Sequence, residues 1–274
     1  MMKFSVLMSI YHKESPQNFD RAMHSIWDEQ TIKPNEIILV EDGQLTDGLY
    51  QVISHWQDKL DNIFKVTSLE KNVGTGNAKN IGVEQCTSEL IAVMDTDDIS
   101  LPDRFKKQLA VFETKGIDVC GTWVGEFEGD EAQIISYRRT PEQHSEIVAF
   151  AKSRSPVNHP TAMYKRKLVL NIGNYAKHRR TSQDYNLFVR LILGGAKLYN
   201  IQEPLVNMRM DSEWLESRRS GLKQAILEKN VQKEFYKMGF LNLYELFRNV
   251  VVGFIIRLLP KTLLKIVFKM IRKL

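Results

Sequence analysis

The stretch Leu90–Asp98, LIAVMDTDD in one-letter code, places five apolar residues directly before a cluster of acids. A short apolar run of this kind favours a buried β-strand. The three carboxylates of Asp95-Thr96-Asp97-Asp98 repel one another, and a bound cation would relieve that repulsion. Because every donor is an oxygen, Mg²⁺ or Mn²⁺ is favoured over zinc or copper. The stretch therefore predicts a strand that ends at a cation and phosphate site; a solvated loop or a helix cap before Pro102 is the alternative.

The residues on either side of this stretch alternate between strand-like and helix-like segments. The predicted strands are Phe4–Ile10, Ile37–Val40, Ile63–Thr67, Leu90–Met94 and Val119–Val124. Between them lie segments with apolar residues at helical spacing, the first of which begins at Pro16. This alternation predicts an α/β fold with a mainly parallel central sheet flanked by helices on both faces. Ligands of such sheets bind beyond the carboxyl ends of the strands. Three polar clusters fall there: His12-Lys13-Glu14, Glu41-Asp42-Gly43 and Asp95–Asp98.

Three further features could contribute to chemistry. The segment 72–80, NVGTGNAKN, has glycines that permit close backbone approach, and the helix that follows favours an anion at its start. It is neither a dinucleotide fingerprint nor a Walker A loop, because the required glycine and G-K-[ST] positions are filled differently. Asp184 begins another predicted helix and is either a carboxylate that favours the helix dipole or a general base. His159 is either a packing residue or a substrate contact.

Composition excludes several functional classes. The 274 residues are 43% hydrophobic and 26% charged, as in a folded protein rather than a disordered one. The net charge is +5, but the last 35 residues carry +6 and the remainder −1. A nucleic-acid binder would spread positive charge over its folded body, so no nucleic-acid partner is expected.

Cys86 and Cys120 are too few for a disulfide scaffold or a zinc ribbon. Without a secretory signal or a membrane-spanning run, a cytoplasmic location is expected.

Taken in order, the motifs resemble those of the family 2 glycosyltransferases with the GT-A fold. The residues that carry the resemblance are Phe4–Tyr11, Val40–Gly43, Asn72–Asn80, Met94–Asp98 and Gln183-Asp184. The segments 158–161, NHPT, and 200–206, NIQEPLV, are similar to the branch that builds bacterial exopolysaccharide and O-antigen units, the amylovoran type. The resemblance covers about residues 3–211 and implies an inverting, metal-dependent transfer of a hexose from a nucleotide sugar, with UDP and galactose preferred. The implied acceptor is a lipid-linked saccharide.

The resemblance also implies roles for individual residues. The nucleotide sugar would be bound by Ser9, Tyr11, Asp42, Lys79 and Asp95. Asp97 would bind Mn²⁺ or Mg²⁺, Asp184 would be the catalytic base, and His159 would contact the acceptor.

Three positions depart from the usual pattern: Glu41, Lys79 and Gln183 stand where aspartate, arginine and glutamate are usual. Lysine cannot make the bidentate contacts of arginine, and Gln183 removes a carboxylate beside the proposed base. The Gln-x-x-Arg-Trp motif of polymerising members is absent, which favours one transfer per encounter.

The basic C-terminal segment predicts an attachment to a membrane surface. Arg257, Lys261, Lys265 and Lys269 recur every four residues among apolar side chains. A basic amphipathic helix of this type lies in the interface of an anionic membrane, although packing on the protein itself is the alternative.

The predicted domain division is a catalytic domain over 1–215, with a nucleotide-sugar half (1–125) and an acceptor half (126–215), and a helical extension over 216–274. The protein would be peripheral on the inner face of the bacterial plasma membrane. A metal-dependent nucleotidyltransferase and a catalytically inert adaptor remain the alternatives.

Overall fold

The computed structural model describes residues 2–177, 181–210 and 221–259, and these form an α/β fold around one mixed sheet. The strands in these ranges are β1 (Phe4–Ile10), β2 (Glu36–Glu41), β3 (Phe64–Ser68), β4 (Leu90–Val93), β5 (Ile99–Ser100), β6 (Val119–Phe127), β7 (Ile134–Arg138), β8 (Met163–Lys165) and β9 (Leu198–Arg209). Their order across the sheet is β3-β2-β1-β4-β8-β6-β9-β5, and β7 pairs with β6. The predicted fold class, a central sheet flanked by helices, is therefore confirmed.

The parallel part of the sheet is its N-terminal half. Strand β1 pairs in parallel with β2 and β4, and β2 pairs in parallel with β3. All residues of β2 and β4 are buried, as expected for strands covered by helices on both faces. Because these strands run in the same direction, their carboxyl ends meet at one edge, which brings residues 11–14, 42–43 and 94–98 close together.

The second half of the sheet is less regular and mostly antiparallel, a pattern that the alternation of segments does not predict. Strand β8 is antiparallel to both β4 and β6, and β7 is antiparallel to β6. Strand β9 runs parallel to β6, with register shifts around Trp123 where Pro204 opposes it. Proline has no N–H to donate, so an irregularity is expected at that point of the ladder.

The helices in the described ranges are α1 (Pro16–Ile26), α2 (Asp47–Leu60), α3 (Thr75–Gln85), α4 (Arg104–Lys115), α5 (His144–Ala151), α6 (Arg166–Asn171), α7 (Gln183–Leu193), α8 (Leu222–Lys237) and α9 (Leu243–Leu258). The first begins as predicted: Pro16 occupies its first turn and the Ser15 hydroxyl accepts a bond from the Asn18 N–H. Among these described helices, none combines the length and the apolar character needed to cross a membrane.

The helices cover two faces of the sheet and form separate hydrophobic clusters with it. One cluster packs α1, α2 and α4 on one face, and a second packs α3, α6 and α7 on the other. Cys86 and Cys120 are free thiols, and both are buried in these clusters. Burial raises the pKa of each thiol to about 12, so neither is a reactive thiolate.

The C-terminal helices α8 and α9 pack on the body of the protein rather than standing apart from it. A third cluster joins Val231 and Phe235 of α8 to Tyr185 and Val189 of α7. Helix α9 then lies on α8, and its Asn242 caps it in a reciprocal bond with Glu245. Of the basic residues in the predicted membrane helix, Arg257 pairs with Glu228 at 2.9 Å; Lys261, Lys265 and Lys269 lie outside the described residues.

Candidate active site

The centre of the site is an ion pair between Lys79 and Asp95 at the carboxyl edge of the parallel strands. Asp95 follows the end of β4, and Lys79 lies one turn into α3 after the glycine-rich loop. The Lys79 Nζ is 2.7 Å from Asp95 Oδ1, and only 3% of the lysine side chain is exposed. An almost fully buried ammonium needs a counter-charge, and Asp95 supplies it. Burial alone would raise the pKa of Asp95, but the charge and hydrogen bond of Lys79, together with the effects of His159 and Arg104, lower it.

His159 extends this pair into a chain of hydrogen-bonding groups. Its Nδ1 is 3.4 Å from Lys79 Nζ, and its Nε2 is 2.9 Å from the Tyr175 hydroxyl. Burial, and then the Lys79 ammonium, lower the pKa of His159 to about 4 against the opposing charges of Asp95 and Asp184. The imidazole is therefore neutral at pH 7. Since lysine can only donate, Nδ1 accepts from Lys79 and Nε2–H donates to Tyr175.

Asp184 lies at the start of α7, close enough to His159 for its charge to act on the pKa of the imidazole. The preceding Ser182 adopts a left-handed conformation, with φ of 54°, and makes no side-chain cap bond. A non-glycine residue in that region is strained, and such strain is common at functional sites. Gln183 packs against α3, because a Cβ added at Gly76 would be 2.6 Å from the Gln183 Cδ. Glycine at position 76 thus lets the Asp184 turn approach the glycine-rich loop.

Asp97 and Asp98 carry the charge repulsion that the sequence predicts. Burial, together with the charges of Asp95 and Glu14, raises the pKa of Asp97 to about 7. Burial and the charges of Asp97 and Asp95 raise the pKa of Asp98 well above its usual value. Asp98 has a structural role, because its Oδ1 accepts a hydrogen bond from the Arg209 backbone N–H at 3.0 Å. Among the described residues, no comparable bond from another residue holds the Asp97 carboxylate, which leaves it for a partner from outside the chain.

The chemistry of these donors fits a hard divalent cation. In the described part of the chain, no group of three or more His, Cys, Asp or Glu side chains is arranged to hold a metal ion. Mg²⁺ and Mn²⁺ are commonly bound through one or two carboxylates together with the phosphates of a substrate. Asp97, whose pKa is raised by burial and by the neighbouring acids, is suited to that role, because a cation would stabilise its ionised form.

Asp42 organises the loop over the site. Its two carboxylate oxygens accept bonds from the Val73 and Gly74 N–H groups, at 2.6 and 3.0 Å. The loop that bears α3 and Lys79 is thereby tied to the end of β2. Each carboxylate oxygen has a further lone pair, so contact with a nucleotide base stays a prediction. Ser9 lies within β1, beside Val40, and Tyr11 follows the strand end with its ring against His12; their predicted contacts with the nucleotide are likewise untested.

Two residues of the site, Tyr175 and Arg104, do not stand out in the sequence analysis, whereas Glu14 belongs to the polar cluster predicted after the first strand. Glu14 accepts a bond from the Thr96 hydroxyl at 2.7 Å and joins the acidic cluster from another strand end. Tyr175 bonds His159, and its hydroxyl is 3.3 Å from that of Tyr164. Arg104 is fully buried beneath the cluster and donates to the Val93 carbonyl at 2.7 Å. Glu14 has a signal in its position after a strand; the other two lack one, because only folding brings them to the site.

Comparison with known proteins defines the class to which this fold and site belong. The family model described as Glycosyl transferase family 2 matches residues 5–173, more than half of the sequence. The chain belongs to glycosyl transferase family 2, which confirms the resemblance read from its motifs. A mannosyltransferase from Pyrobaculum calidifontis, solved in complex with GDP-Man and Mn²⁺, is similar in fold. Its TM-score is 0.65 at 12% identity, over 91% of this chain and 68% of that one.

Curated relatives match over nearly their whole length. A UDP-Gal:alpha-D-GlcNAc-diphosphoundecaprenol beta-1,3-galactosyltransferase from Escherichia coli is 35% identical, over 97% of this chain and 95% of its own. The amylovoran biosynthesis glycosyltransferase AmsE from Erwinia amylovora is 33% identical, over 98% and 99% of the two chains. These matches favour the glycosyltransferase prediction over the nucleotidyltransferase alternative, and they confirm the resemblance to the bacterial polysaccharide branch.

Proposed function

We propose that the protein transfers one hexose, preferably galactose, from a UDP-linked donor to the sugar of a polyprenyl-diphosphate acceptor, with inversion at the anomeric carbon. The carrying observation is the meeting of Lys79, Asp95, His159 and Asp184 beside the under-compensated Asp97. This arrangement supports a donor-binding edge next to a carboxylate that can act as a base. The E. coli relative, which by its name uses UDP-Gal and a lipid diphosphate acceptor, supports the choice of substrates.

Each residue has a distinct task in this proposal. Lys79 holds Asp95 in place and contributes positive charge where the donor phosphates bind, and Asp42 binds the uracil. Asp97 would hold Mn²⁺ or Mg²⁺, and the bound ion would supply positive charge that stabilises the departing diphosphate. The Mn²⁺ in the structurally similar mannosyltransferase supports this assignment.

Asp184 accepts the proton of the acceptor hydroxyl as that oxygen attacks the donor sugar. A single displacement of this kind inverts the anomeric centre and needs no enzyme nucleophile. His159 is neutral at pH 7 and lies near Asp184, so it can contact an acceptor hydroxyl without adding a positive charge that would pair with the base. The two halves of the proposed catalytic domain, 1–125 and 126–215, then hold donor and acceptor respectively.

Attachment to a membrane surface completes the proposal, because a lipid-linked acceptor is confined to the bilayer. Helix α9 exposes large apolar side chains at a spacing of four residues, on the side away from α8: Leu243, Phe247, Val251 and Ile255. Leu243 and Phe247 are each 68% exposed. Such a row is suited to insertion at the interface of the inner leaflet. The wild type should sediment with anionic vesicles. The double variant Leu243→Ser, Phe247→Ser should remain in the supernatant.

The donor assignment is tested by calorimetric titration with UDP, with and without Mn²⁺. We expect binding that requires the metal in the wild type and is lost in Asp97→Ala. Asp103→Ala is the matched control, because Asp103 is a nearby aspartate whose side chain is 48% exposed and lies outside the cluster. Transfer from UDP-Gal to a synthetic GlcNAc-diphosphate-alkyl acceptor then tests the reaction itself.

The outcomes of this titration separate the alternatives. UDP binding that is independent of both Mn²⁺ and Asp97 would contradict the metal assignment. Failure of UDP with success of GDP or dTDP would change the donor. Failure of every nucleotide would favour the catalytically inert adaptor.

A further inference from the structure

A cavity of about 480 Å³ opens beside Asp184. Its walls come from the end of β7, the segment after α5, the start of α7, and helices α8 and α9. The volume lies within the range of small-molecule binding sites. Because Asp184 is part of the wall, any molecule in this cavity is a neighbour of the proposed base.

Four arginines line the cavity, and two of them are neutralised by the protein. Arg138 pairs with the buried Glu126 at 2.7 Å, and Arg257 pairs with Glu228 at 2.9 Å. The other two, Arg139 and Arg154, have no carboxylate partner in the described ranges of the chain. The cavity therefore presents two guanidinium charges that the described protein does not compensate.

Aromatic rings hold these two guanidinium groups in place. The Arg139 guanidinium lies 5.0 Å from the centre of the Trp123 ring, and that of Arg154 lies 4.7 Å from the centre of the Phe150 ring. Stacking of this kind orients a guanidinium but leaves its charge and its N–H donors available. Burial lowers the pKa of Arg154, as expected for a cation held away from a counter-charge.

We propose that Arg139 and Arg154 bind the diphosphate of the lipid-linked acceptor, with the acceptor sugar between that diphosphate and Asp184. The inference rests on the proposed function, because it takes the acceptor to be a sugar joined to a lipid through a diphosphate. A diphosphate in such a linkage carries one negative charge on each phosphate, which matches two uncompensated guanidinium groups. Helix α9 contributes Arg257 to the wall of the cavity and also carries the exposed apolar row described above. A lipid chain that leaves the cavity along α9 could therefore continue toward a membrane.

The arrangement would make these arginines determinants of acceptor specificity. Arg139 and Arg154 are both exposed at the cavity, so the discrimination comes from the charge-assisted bonds that a diphosphate forms and that the same sugar without phosphates cannot form. The protein should therefore prefer an acceptor with a diphosphate over the same sugar on a plain alkyl chain. That preference, rather than the rate of the chemical step, is what Arg139 and Arg154 would control.

The experiment compares two soluble acceptors, GlcNAc-diphosphate-alkyl and GlcNAc-alkyl without phosphates, with UDP-Gal and Mn²⁺. The variants are Arg139→Ala, Arg154→Ala, the double variant, and Arg248→Ala as the control. Arg248 is an exposed arginine of α9 whose side chain bonds the adjacent Asn249. We expect each single change to reduce the preference in kcat/KM for the diphosphate acceptor about tenfold, and the double change about 10²-fold, at 1.4 kcal/mol per tenfold step. Arg248→Ala should keep the wild-type preference.

Further readouts keep a failure of this site distinct from a failure of the proposed function. Arg139→Lys and Arg154→Lys retain the charge and should lose less of the preference than the alanine variants. If the wild type transfers no sugar, calorimetric binding of GlcNAc-diphosphate-alkyl still tests the cavity, and weaker binding in the double variant would support it. An unchanged preference or unchanged binding in the folded double variant would overturn the proposal. So would a loss of binding to phosphatidylglycerol vesicles with an unchanged preference, since the cavity would then serve a membrane headgroup.

Discussion

Glu36 and the half-buried Asp97 lie at opposite ends of the parallel strands, and their surroundings shift their pKa values in opposite directions. Glu36 begins β2, and its oxygens accept bonds from Ser5, Thr87, Ser88 and Lys65. Burial alone would raise the pKa of Glu36, but these donors lower it to about 2. At the other end, the pKa of Asp97 is raised to about 7.

The difference indicates that Glu36 is a structural acid, and it supports the proposal that Asp97 binds a partner from outside the chain. A buried carboxylate that the protein fully satisfies contributes to stability, whereas one crowded by like charges costs stability. Each end also has a lysine: Lys65 pairs with Glu36 at 2.8 Å, and Lys79 pairs with Asp95 at 2.7 Å. Lys65 is 49% exposed and Lys79 only 3%, so the second lysine belongs to an enclosed site.

The largest expected effect is the loss of activity in Asp97→Asn. The amide cannot replace the carboxylate at a cation, so the transfer rate should fall on the order of 10³-fold. The free energy of unfolding should stay the same or rise by about 1 kcal/mol, because one of the repelling charges is removed. Transfer assays with Mn²⁺ and urea denaturation measure the two quantities. Near-normal transfer, or a clear loss of stability, would show that Asp97 is a structural acid like Glu36.

The reverse pattern is expected for Glu36→Gln. Its unfolding free energy at pH 7 should fall by about 3 kcal/mol, while the folded variant keeps its transfer activity. Because the pKa of Glu36 is lower in the folded state, its stabilising contribution is complete above the unfolded pKa of about 4.5. It is lost as the pH falls from there toward about 2.

Urea denaturation of the wild type and of Glu36→Gln, from pH 7 down to pH 3, measures this difference. The exposed Glu113 of α4 provides the control Glu113→Gln, which should match the wild type at every pH. A gap between the wild type and Glu36→Gln that stays constant or widens toward pH 3 would contradict the assignment.

A smaller effect distinguishes the two lysines. Lys79→Met should raise the pKa of His159 from about 4 by about one unit, because the ammonium that opposes its protonation is removed and Asp95 and Asp184 remain. Lys65→Met, at the other end of the strands, should leave the pKa of His159 unchanged. Histidine NMR titration measures both values, with the signal assigned by its absence in His159→Gln. Equal titration curves in all three proteins would refute the contact between Lys79 and His159.

Much of the N-terminal half could be predicted from the sequence. Apolar runs such as Leu90–Val93 are long enough for a strand and are followed directly by acids, so both the strand and the polar edge are local properties of the sequence. The start of α1 is likewise local, since Ser15 and Pro16 are adjacent in the chain. The irregular strand β9 was not predicted, because its pairing with β6 depends on a distant strand and on a register that shifts opposite Pro204.

The sequence by itself determined the α/β class, the family and the candidate acids Asp95, Asp97 and Asp184, because these follow from residue types at short range. The tertiary structure alone decided that Lys79 is enclosed between Asp95 and His159, and that Asp42 ties down the glycine-rich loop. It also placed Arg139 and Arg154 on a cavity shared with Asp184. These properties depend on burial and on the distances between charged residues that are far apart in the sequence. Both are fixed only when the strands and helices pack together.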